Sequence, residues 1–441
     1  MGGLPPGPSA SPLRQAAEWV RRPLPLLEEC GRRYGETFTL RLAGLPPMVM
    51  ITRPGTVREV FTGDPEVLRS GEANALLSAG LGKRSLLVLD GADHLRERRL
   101  MLPPFHGERM RQYGDLIRAI AEREIATWPA GAELALAPRM RTIALEVIVR
   151  AVFGVEGRER VERLQRALGR LLDSSSRPHR VLALLLIAPD GWTVRTWRRH
   201  APTIRRVDAL LLEEIRLRRA DPCAAERPDI LSLLLAARYE DRAPMGDAHL
   251  RDELMTLLVA GHETTAVALT WALERLARHP AAAERLASEV TAGTDEYLDA
   301  VVKETLRVRT VIPFVVRHLA APLELEGSEL PAGVRVAPCA HLVHRRPDLY
   351  PRPEAFRPER FLERPAGTYT WIPFGGGTRR CIGATLATYE MKTVLAAVAR
   401  RGRVRTIEDS GEAVRRRGFA LVPARDGRVT WERASPAPGA A

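Results

Sequence analysis

The sequence lacks the long apolar segments that membrane-spanning and secreted chains carry. Its longest purely aliphatic run, residues 181–188, is far shorter than the roughly 18 apolar residues needed to cross a bilayer. Residues 1–12 (MGGLPPGPSASP) have no apolar core, so we interpret them as a proline-rich lead-in and not as a signal peptide. The chain has 4 cysteines and no CxxC pair, which argues against a disulfide framework and favours a cytoplasmic setting.

Several cofactor and nucleic-acid motifs are missing as well. No GxGxxG opens a βαβ unit, no cysteine cluster could hold an iron–sulfur centre, and GLGKRS (80–85) lacks the spacing of a phosphate loop. His341 and His344 form an HxxH pair without an evident third ligand, which argues against zinc there. The net charge of +13 comes from arginines scattered among glutamates. We therefore expect no nucleic-acid binding, but a basic face that docks an acidic protein partner.

The distribution of apolar residues predicts a mainly α fold. From about 108 to 290 these residues recur at three- and four-residue steps, and one long helix, over 251–280, should stop at His279-Pro280. Strand-like stretches lie mostly outside this block, and residues 37–52 and 323–338 are each predicted to form a hairpin. No linker divides the chain, so we predict a single domain over residues 1–441.

One of the cysteines has an unusual setting. Cys381 follows FGGGTRR (374–380) and precedes an amphipathic segment that should form a helix ending at Gly402. A helix N-terminus and neighbouring arginines favour a thiolate, and the glycines let the backbone turn sharply. The residues alone leave three hypotheses open: a buried structural thiol, a nucleophile served by a histidine base, or the axial ligand of a haem.

This stretch resembles the haem-binding loop of the cytochrome P450 family. The matching residues are Phe374, Gly375, Gly377, Arg379, Cys381 and Gly383. The resemblance implies the cytochrome P450 fold, with about a dozen helices and small β-sheets at the edges. It also implies haem b (iron protoporphyrin IX) as the cofactor, Cys381 as the iron ligand, and haem contacts from Phe374, Arg379 and Gly383.

A second motif occurs in the order that the family shows. KETLR supplies Glu304 and Arg307, three residues apart on one helix face, and FRPERF supplies Arg360. In the family such residues form a buried network beside the thiolate loop. The resemblance therefore predicts that these three residues hold the fold around the haem and take no part in the reaction.

A third motif, DGADHLRERRLMLPPF (90–105), resembles the family's helix that crosses the haem edge. His94 and Arg98 are four residues apart and so share one face of this helix. Haem carries two propionates, whose burial without partners would be costly. The resemblance assigns their binding to four basic residues: His94, Arg98, Arg317 and Arg379.

The segment LLVAGHETTAV (257–267) resembles the family's helix that passes over the haem. Gly261 and the two threonines are poor helix formers, so a purely structural helix would gain nothing from them. The resemblance implies that Ala260 and Gly261 leave room for dioxygen. It further implies that Glu263 and Thr264 deliver protons to the bound dioxygen, with Thr264 opening the helix by bonding back to a carbonyl.

Together these motifs imply a haem-thiolate monooxygenase that inserts one oxygen atom of O2 into a lipophilic small molecule, such as a fatty acid, terpenoid, polyketide or drug-like compound. No reductase motif is present, so electrons should come from a separate ferredoxin or flavodoxin-type donor with its reductase, and we expect a monomer. We predict that Arg96, Arg99, Arg109 and Arg111, on or just after the helix at the haem edge, form the basic face that docks this donor. Two alternatives remain: a peroxygenase or isomerase that needs no redox partner, and a non-catalytic haem sensor. We expect the pocket walls in five segments: residues 71–89, 181–192, 259–260 and 311–314, and Phe419.

Overall fold

The computed structural model describes residues 3–105, 109–155, 158–175 and 192–434. Side chains are described for these residues except 109, 111, 112, 158, 170–175 and 192–201. The α-helices in the described residues are α1 (Pro12–Arg21), α2 (Pro23–Tyr34), α3 (Pro54–Thr62), α4 (Ser70–Ala73), α5 (Ser78–Leu81), α6 (Gly91–Met101), α7 (Arg109–Ala126), α8 (Leu136–Phe153), α9 (Arg158–Ser175), α10 (Trp192–Arg219), α11 (Ile230–Ala236), α12 (Asp247–Arg278), α13 (Pro280–Ala292), α14 (Glu296–Val308), α15 (Ala340–Val343), α16 (Arg360–Glu363) and α17 (Ala384–Arg401).

Twelve of these helices have nine residues or more, which agrees with the predicted dozen.

The strands in the described residues are β1 (Thr37–Leu40), β2 (Met48–Ile51), β3 (Leu68–Arg69), β4 (Glu133–Ala135), β5 (Arg317–Leu319), β6 (Leu323–Leu325), β7 (Ser328–Leu330), β8 (Arg335–Pro338), β9 (Gly402–Thr406), β10 (Val414–Arg417), β11 (Ala420–Pro423) and β12 (Arg428–Arg433). No helix in the described part of the chain is long and apolar enough to span a membrane.

The longest helix, α12, runs through the centre of the main hydrophobic core. It packs along α8 and α17, and its Trp271 donates an indole hydrogen bond to the Leu421 carbonyl at 2.9 Å. The helix ends at Arg278 because Pro280 has no N–H to continue it, and Pro280 instead occupies the first turn of α13. The predicted stop is therefore confirmed. The main core extends from Leu81 to Trp431.

In the described part of the chain, four small sheets lie around this helical body. The largest has the strand order β1-β2-β8-β5-β3, and β1 pairs with β2 in the predicted hairpin, Thr37 facing Ile51. The lead-in lies against this sheet, because the Thr39 N–H donates to the Pro6 carbonyl at 2.8 Å.

The predicted pairing of residues 323–338 is wrong. Leu323–Leu325 pairs with Ser328–Leu330 across a tight turn at Glu326 and Gly327, whose φ angles are 52° and 73°. The next strand, Arg335–Pro338, instead runs parallel to β2 and antiparallel to β5. A two-residue turn closes the first hairpin locally, so β8 is free to enter the larger sheet.

Candidate active site

The glycine-rich loop before α17 follows a path that side chains would block. Gly375 and Gly377 have φ angles of +67° and +63°, a region that favours glycine. A Cβ atom on Gly377 would lie 1.8 Å from the Phe61 carbonyl oxygen, and one on Gly376 would lie 2.3 Å from the Phe61 ring. The loop then folds back, so that the Cys381 N–H donates to the Phe374 carbonyl at 2.9 Å. Gly376 and Gly377 are thus required by close contact with α3, and Gly375 is favoured by its positive φ angle.

The Cys381 sulfur lies three residues before the first residue of α17. The helix begins at Ala384, later than the predicted start, and it ends at Gly402 as predicted. The sulfur is accessible to solvent, yet protein surrounds it closely enough that burial raises the pKa of its thiol. Both observations hold if the sulfur lines an internal cavity. The Gly383 N–H, Arg98 and Arg380 act in the opposite direction and lower this pKa, which favours a thiolate.

The other cysteines have different surroundings. Burial raises the pKa of Cys30 to about 11 and that of Cys339 to about 12, and Cys223 lies on the surface. A nucleophilic role for Cys381 would require a histidine base, and among the described residues no histidine forms a hydrogen bond with it. The nearby His94 is too poor a base, because burial and the charges of the surrounding arginines lower its pKa to about 3.

His94, Arg98, Arg317 and Arg379 lie in one electrostatic neighbourhood, although they come from three parts of the chain. Burial and then the charges of Arg379, Arg98 and Arg317 account for the lowered pKa of His94. Arg317 is 6% exposed and donates to the neighbouring Val316 carbonyl, and burial lowers its pKa to about 10. In the described residues, no carboxylate forms an ion pair with Arg98 or Arg317. The cluster therefore carries uncompensated positive charge, and it fits a ligand with anionic groups.

Asp90 supplies the one carboxylate in this cluster, and sequence reasoning missed it. Its carboxylate accepts hydrogen bonds from Arg379 and from the backbone N–H groups of Gly71 and Glu72, all at 2.7 Å. The residue stands just before α6, a position that suggests a helix cap, but its side chain does not cap α6. It instead ties the segment around residue 71 to the Cys381 loop.

The predicted network of Glu304, Arg307 and Arg360 is confirmed. Glu304 Oε2 accepts a hydrogen bond from Arg307 Nε at 2.7 Å, and Glu304 Oε1 accepts one from Arg307 Nη2 at 2.8 Å. Oε1 also accepts a hydrogen bond from Arg360 Nε at 3.0 Å. Arg307 further donates to the carbonyls of His344 and Pro353. All three side chains are buried, and every charge has a hydrogen-bonded partner, as a buried ionic group requires.

The predicted oxygen-side residues lie near the middle of α12. Thr264 donates its hydroxyl hydrogen to the Ala260 carbonyl at 2.7 Å, the predicted bond back along the helix. Ala260 is exposed, although the preceding turns of this helix are buried. A Cβ on Gly261 would lie 3.0 Å from Ile148 of α8, and the small size of this residue therefore also serves helix packing.

Glu263 borders a cavity of about 450 Å³ between α8, α9, α12 and the β10–β11 hairpin. Its carboxylate lies 3.6 Å from both Arg141 and Arg417. His262 borders the same cavity, and burial together with these two arginines lowers its pKa to about 4. The lining is charged, so this cavity does not match the expected apolar substrate pocket.

The described residues bring part of the predicted pocket wall together. The Leu421 N–H donates to the Val311 carbonyl at 2.9 Å, which places the β10–β11 hairpin beside the 311–314 segment. Phe419 lies in the turn of this hairpin and is 72% exposed. Residues 181–191 of the predicted wall lie outside the described residues.

The predicted basic face needs correction at two of its arginines. Arg96 pairs with Asp241 at 2.8 Å and Arg99 with Glu240 at 2.7 Å. These two acids, in the segment between α11 and α12, neutralise charges that we expected to be free. The side chains of Arg109 and Arg111 lie outside those described.

Comparison with known proteins identifies the family. The family model "Cytochrome P450" matches residues 5–426. Cytochrome P450 135B1 of Mycobacterium tuberculosis is 46% identical over 97% of this chain and 91% of its own length, and cytochrome P450 138 of the same species is 39% identical over 98% and 96%.

A solved structure, "Retinoic acid bound cyanobacterial CYP120A1", superimposes with a TM-score of 0.85 at 23% identity, over 98% of this chain and 100% of that one. This likeness confirms the predicted fold. The chain thus belongs to the cytochrome P450 family and is a haem-binding monooxygenase.

Proposed function

We propose that Cys381 is the axial thiolate ligand of haem b in this protein. The observation that carries this proposal is the pairing of a solvent-accessible cysteine with a neighbouring cluster of basic residues that lacks enough carboxylates. Gly383 donates its N–H toward the sulfur, and Phe374 fixes the Cys381 backbone through its carbonyl. Arg98, Arg317 and Arg379 supply the positive charge that the two propionates require, and the neutral His94 ring offers an N–H donor.

Haem, when bound, supplies the activation of O2 and the insertion of one oxygen atom into the substrate. The chain's own residues hold the cofactor, leave room beside Ala260 and Gly261, and move protons. The Thr264 hydroxyl bonds to the Ala260 carbonyl and lies one residue from Glu263. Glu263 lies between Arg141 and Arg417, and its carboxylate oxygens are buried beside the cavity. We therefore assign proton delivery to Glu263 and Thr264.

The proposed substrate is a lipophilic small molecule, because the expected pocket segments are mostly apolar. Electrons come from a ferredoxin or flavodoxin-type donor with its reductase, and we propose a cytoplasmic monomer. Turnover with such a donor, compared with turnover driven by peroxide alone, separates this function from a peroxygenase. A haem protein that shows neither activity would instead be a sensor.

The assignment of the ligand is tested with Cys381→Ala and the matched control Cys223→Ala, which removes a surface thiol. The reduced, carbon monoxide-bound parent and the control should show the strongly red-shifted band of a thiolate haem. Cys381→Ala should lose this band, because an alanine offers no sulfur to the iron. Retention of the band in Cys381→Ala would assign the ligand to another cysteine and overturn the proposal.

A further inference from the structure

A second group of ligand-type side chains lies between α6 and the beginning of α12. Glu97 Oε2 is 3.1 Å from His249 Nε2, and His249 Nε2 is 3.9 Å from Glu253 Oε1. These three atoms all lie within 4.8 Å of one another. His249 and Glu253 share one face of α12 because they are four residues apart, and Glu97 approaches from α6.

The two carboxylates of this group are buried without a cation. Glu253 is fully buried, Glu97 is 5% exposed, and no described arginine or lysine forms an ion pair with either. Neither oxygen of Glu253 makes a well-formed hydrogen bond within the described part of the chain, although the Leu86 N–H lies close enough to lower the pKa of this carboxyl. Burial raises the pKa of Glu253 well above its ordinary value, and the charges of Glu97 and Asp252 raise it further. A positive ion between the carboxylates would remove this cost.

The nearby arginines are engaged elsewhere. Arg96 lies over the Tyr239 ring at 4.1 Å and pairs with Asp241. Arg251 pairs with Asp208 and with Asp252. Neither side chain therefore neutralises the two buried glutamates.

Tyr239 orients the histidine of this group. Its hydroxyl donates to Glu97 at 2.8 Å, so its oxygen can accept from His249 Nδ1, which lies 3.3 Å away. This arrangement leaves the lone pair on His249 Nε2, which has no hydrogen-bond partner and faces the carboxylates. A histidine that donates one N–H to a polar neighbour and presents the other nitrogen is typical of metal sites.

We propose that Glu97, His249 and Glu253 bind one divalent first-row transition-metal ion, and that Zn²⁺ is the ion they fit best. One imidazole and two carboxylates suit zinc, which binds such ligands at about 2.0–2.2 Å and completes its tetrahedron with water. Calcium and magnesium prefer oxygen ligands alone, so the imidazole argues against them. The observed spacing needs side-chain adjustments of about 1 Å to reach tetrahedral geometry.

A metal at this position would join α6 to α12. The first helix carries His94 and Arg98 on its face toward the Cys381 loop, and the second carries Ala260 and Thr264. The ion would act as a structural link and is independent of the reaction proposed above.

The test uses the full-length haem-containing protein, stripped with a chelator and then titrated with Zn²⁺ against a chromophoric competitor. We expect one zinc per chain by elemental analysis and a rise in the thermal unfolding midpoint on zinc addition. Glu253→Gln and His249→Gln should each weaken zinc binding by more than about 100-fold, since loss of an outer partner alone costs about 10–100-fold. Both variants should keep their carbon monoxide spectrum, which shows that they fold.

The matched control is His318→Gln. His318 Nε2 pairs with Glu72 at 3.2 Å, but no third ligand joins them in the described residues, so this change should leave zinc affinity unaltered. The proposal is overturned if the parent takes up less than about a tenth of an equivalent of zinc, or if both ligand variants bind zinc as the parent does. A parent that binds no zinc and is stabilised by Glu253→Gln would show that the glutamates share a proton.

Discussion

At the scale of single residues, charge is the feature that shapes the site. Among the described residues, Asp90 is the one carboxylate beside Arg98, Arg317 and Arg379, and the mutual repulsion of these arginines is a cost in the protein alone. Such a cluster is retained only if a ligand supplies negative charge, because buried ions without partners are strongly destabilising. The residues thus indicate an anionic ligand independently of the family resemblance.

Arg317→Leu should release haem faster than the parent. Losing one charge-assisted hydrogen bond costs about 1.5–3 kcal/mol, which corresponds to about 10–100-fold in affinity. The measurement is the rate of haem transfer from the variant to apomyoglobin. Arg335→Leu is the control, because Arg335 is a partly buried arginine on the adjacent strand β8 and lies outside the cluster. Equal rates in the two variants would contradict the assignment of Arg317.

His262 should make the protein less stable in mild acid. Its folded-state pKa is about 4, below the ordinary 6.5, so the unfolded chain takes up a proton first as the pH falls. The stability that the neutral ring contributes is present above pH 6.5 and is lost as the pH falls from 6.5 toward 4. Between pH 7 and pH 5 this loss amounts to roughly 2 kcal/mol.

His262→Gln removes the titrating ring and should reduce this acid-dependent loss. The check is urea unfolding of the parent and variant at pH 7 and pH 5, with the difference between the two pH values compared. If the variant loses as much stability as the parent, another group is responsible for the acid sensitivity.

At the scale of elements, α12 is mostly buried, and its middle contains residues that are poor helix formers. Thr264→Ala should leave haem content and substrate affinity nearly unchanged, while more of the consumed reducing equivalents end as hydrogen peroxide and fewer as oxidised product. The reason is that mistimed protonation releases peroxide. The measurement is product and peroxide formed per electron pair.

Thr270→Ala is the matched control for this prediction. Thr270 makes the same bond back along α12, to the Ala266 carbonyl at 2.7 Å, but it is buried in the core. This variant should stay as tightly coupled as the parent. Tight coupling in Thr264→Ala as well would mean that protons arrive by another route.

Features that depend on neighbouring residues in the sequence could be predicted, and features that depend on contacts between distant parts of the chain could not. The end of α12 and the first hairpin follow from Pro280 and from the alternation of residues 37–52. The pairing of β8 depends on β2, far away in the chain, so no neighbouring residue reveals it. Asp90 and the group around His249 were missed for the same reason, since their partners lie on other elements.

At the scale of the whole molecule, only some of the arginines behind the net charge of +13 can attract a partner, because others are paired with acidic residues. Arg96 and Arg99 are neutralised by acids, whereas Arg380 is exposed and forms no ion pair with a described residue. Its backbone carbonyl accepts a hydrogen bond from Arg98 at 2.7 Å, so it lies beside the Cys381 loop. An acidic electron donor that docks there would meet its charge directly.

Arg380→Glu should slow electron transfer from an acidic donor, and the effect should be larger at low salt, where charges are less screened. The measurement is the rate of haem reduction across a series of ionic strengths. Arg21→Glu, an equal charge reversal at the end of α1, controls for net charge alone. Equal slowing by both variants would show that the donor responds to total charge and not to this face.

The contact between Gly377 and Phe61 limits how the thiolate loop can be reused in protein engineering. The ten residues from Phe374 to Gly383 look like a self-contained cassette, but their path follows the carbonyl and ring of a residue over 300 positions earlier. A scaffold that receives the loop without a matching end of α3 would provide no surface to shape it. Grafts of this site should therefore carry both segments, and libraries that vary α3 should keep the backbone position of Phe61 fixed.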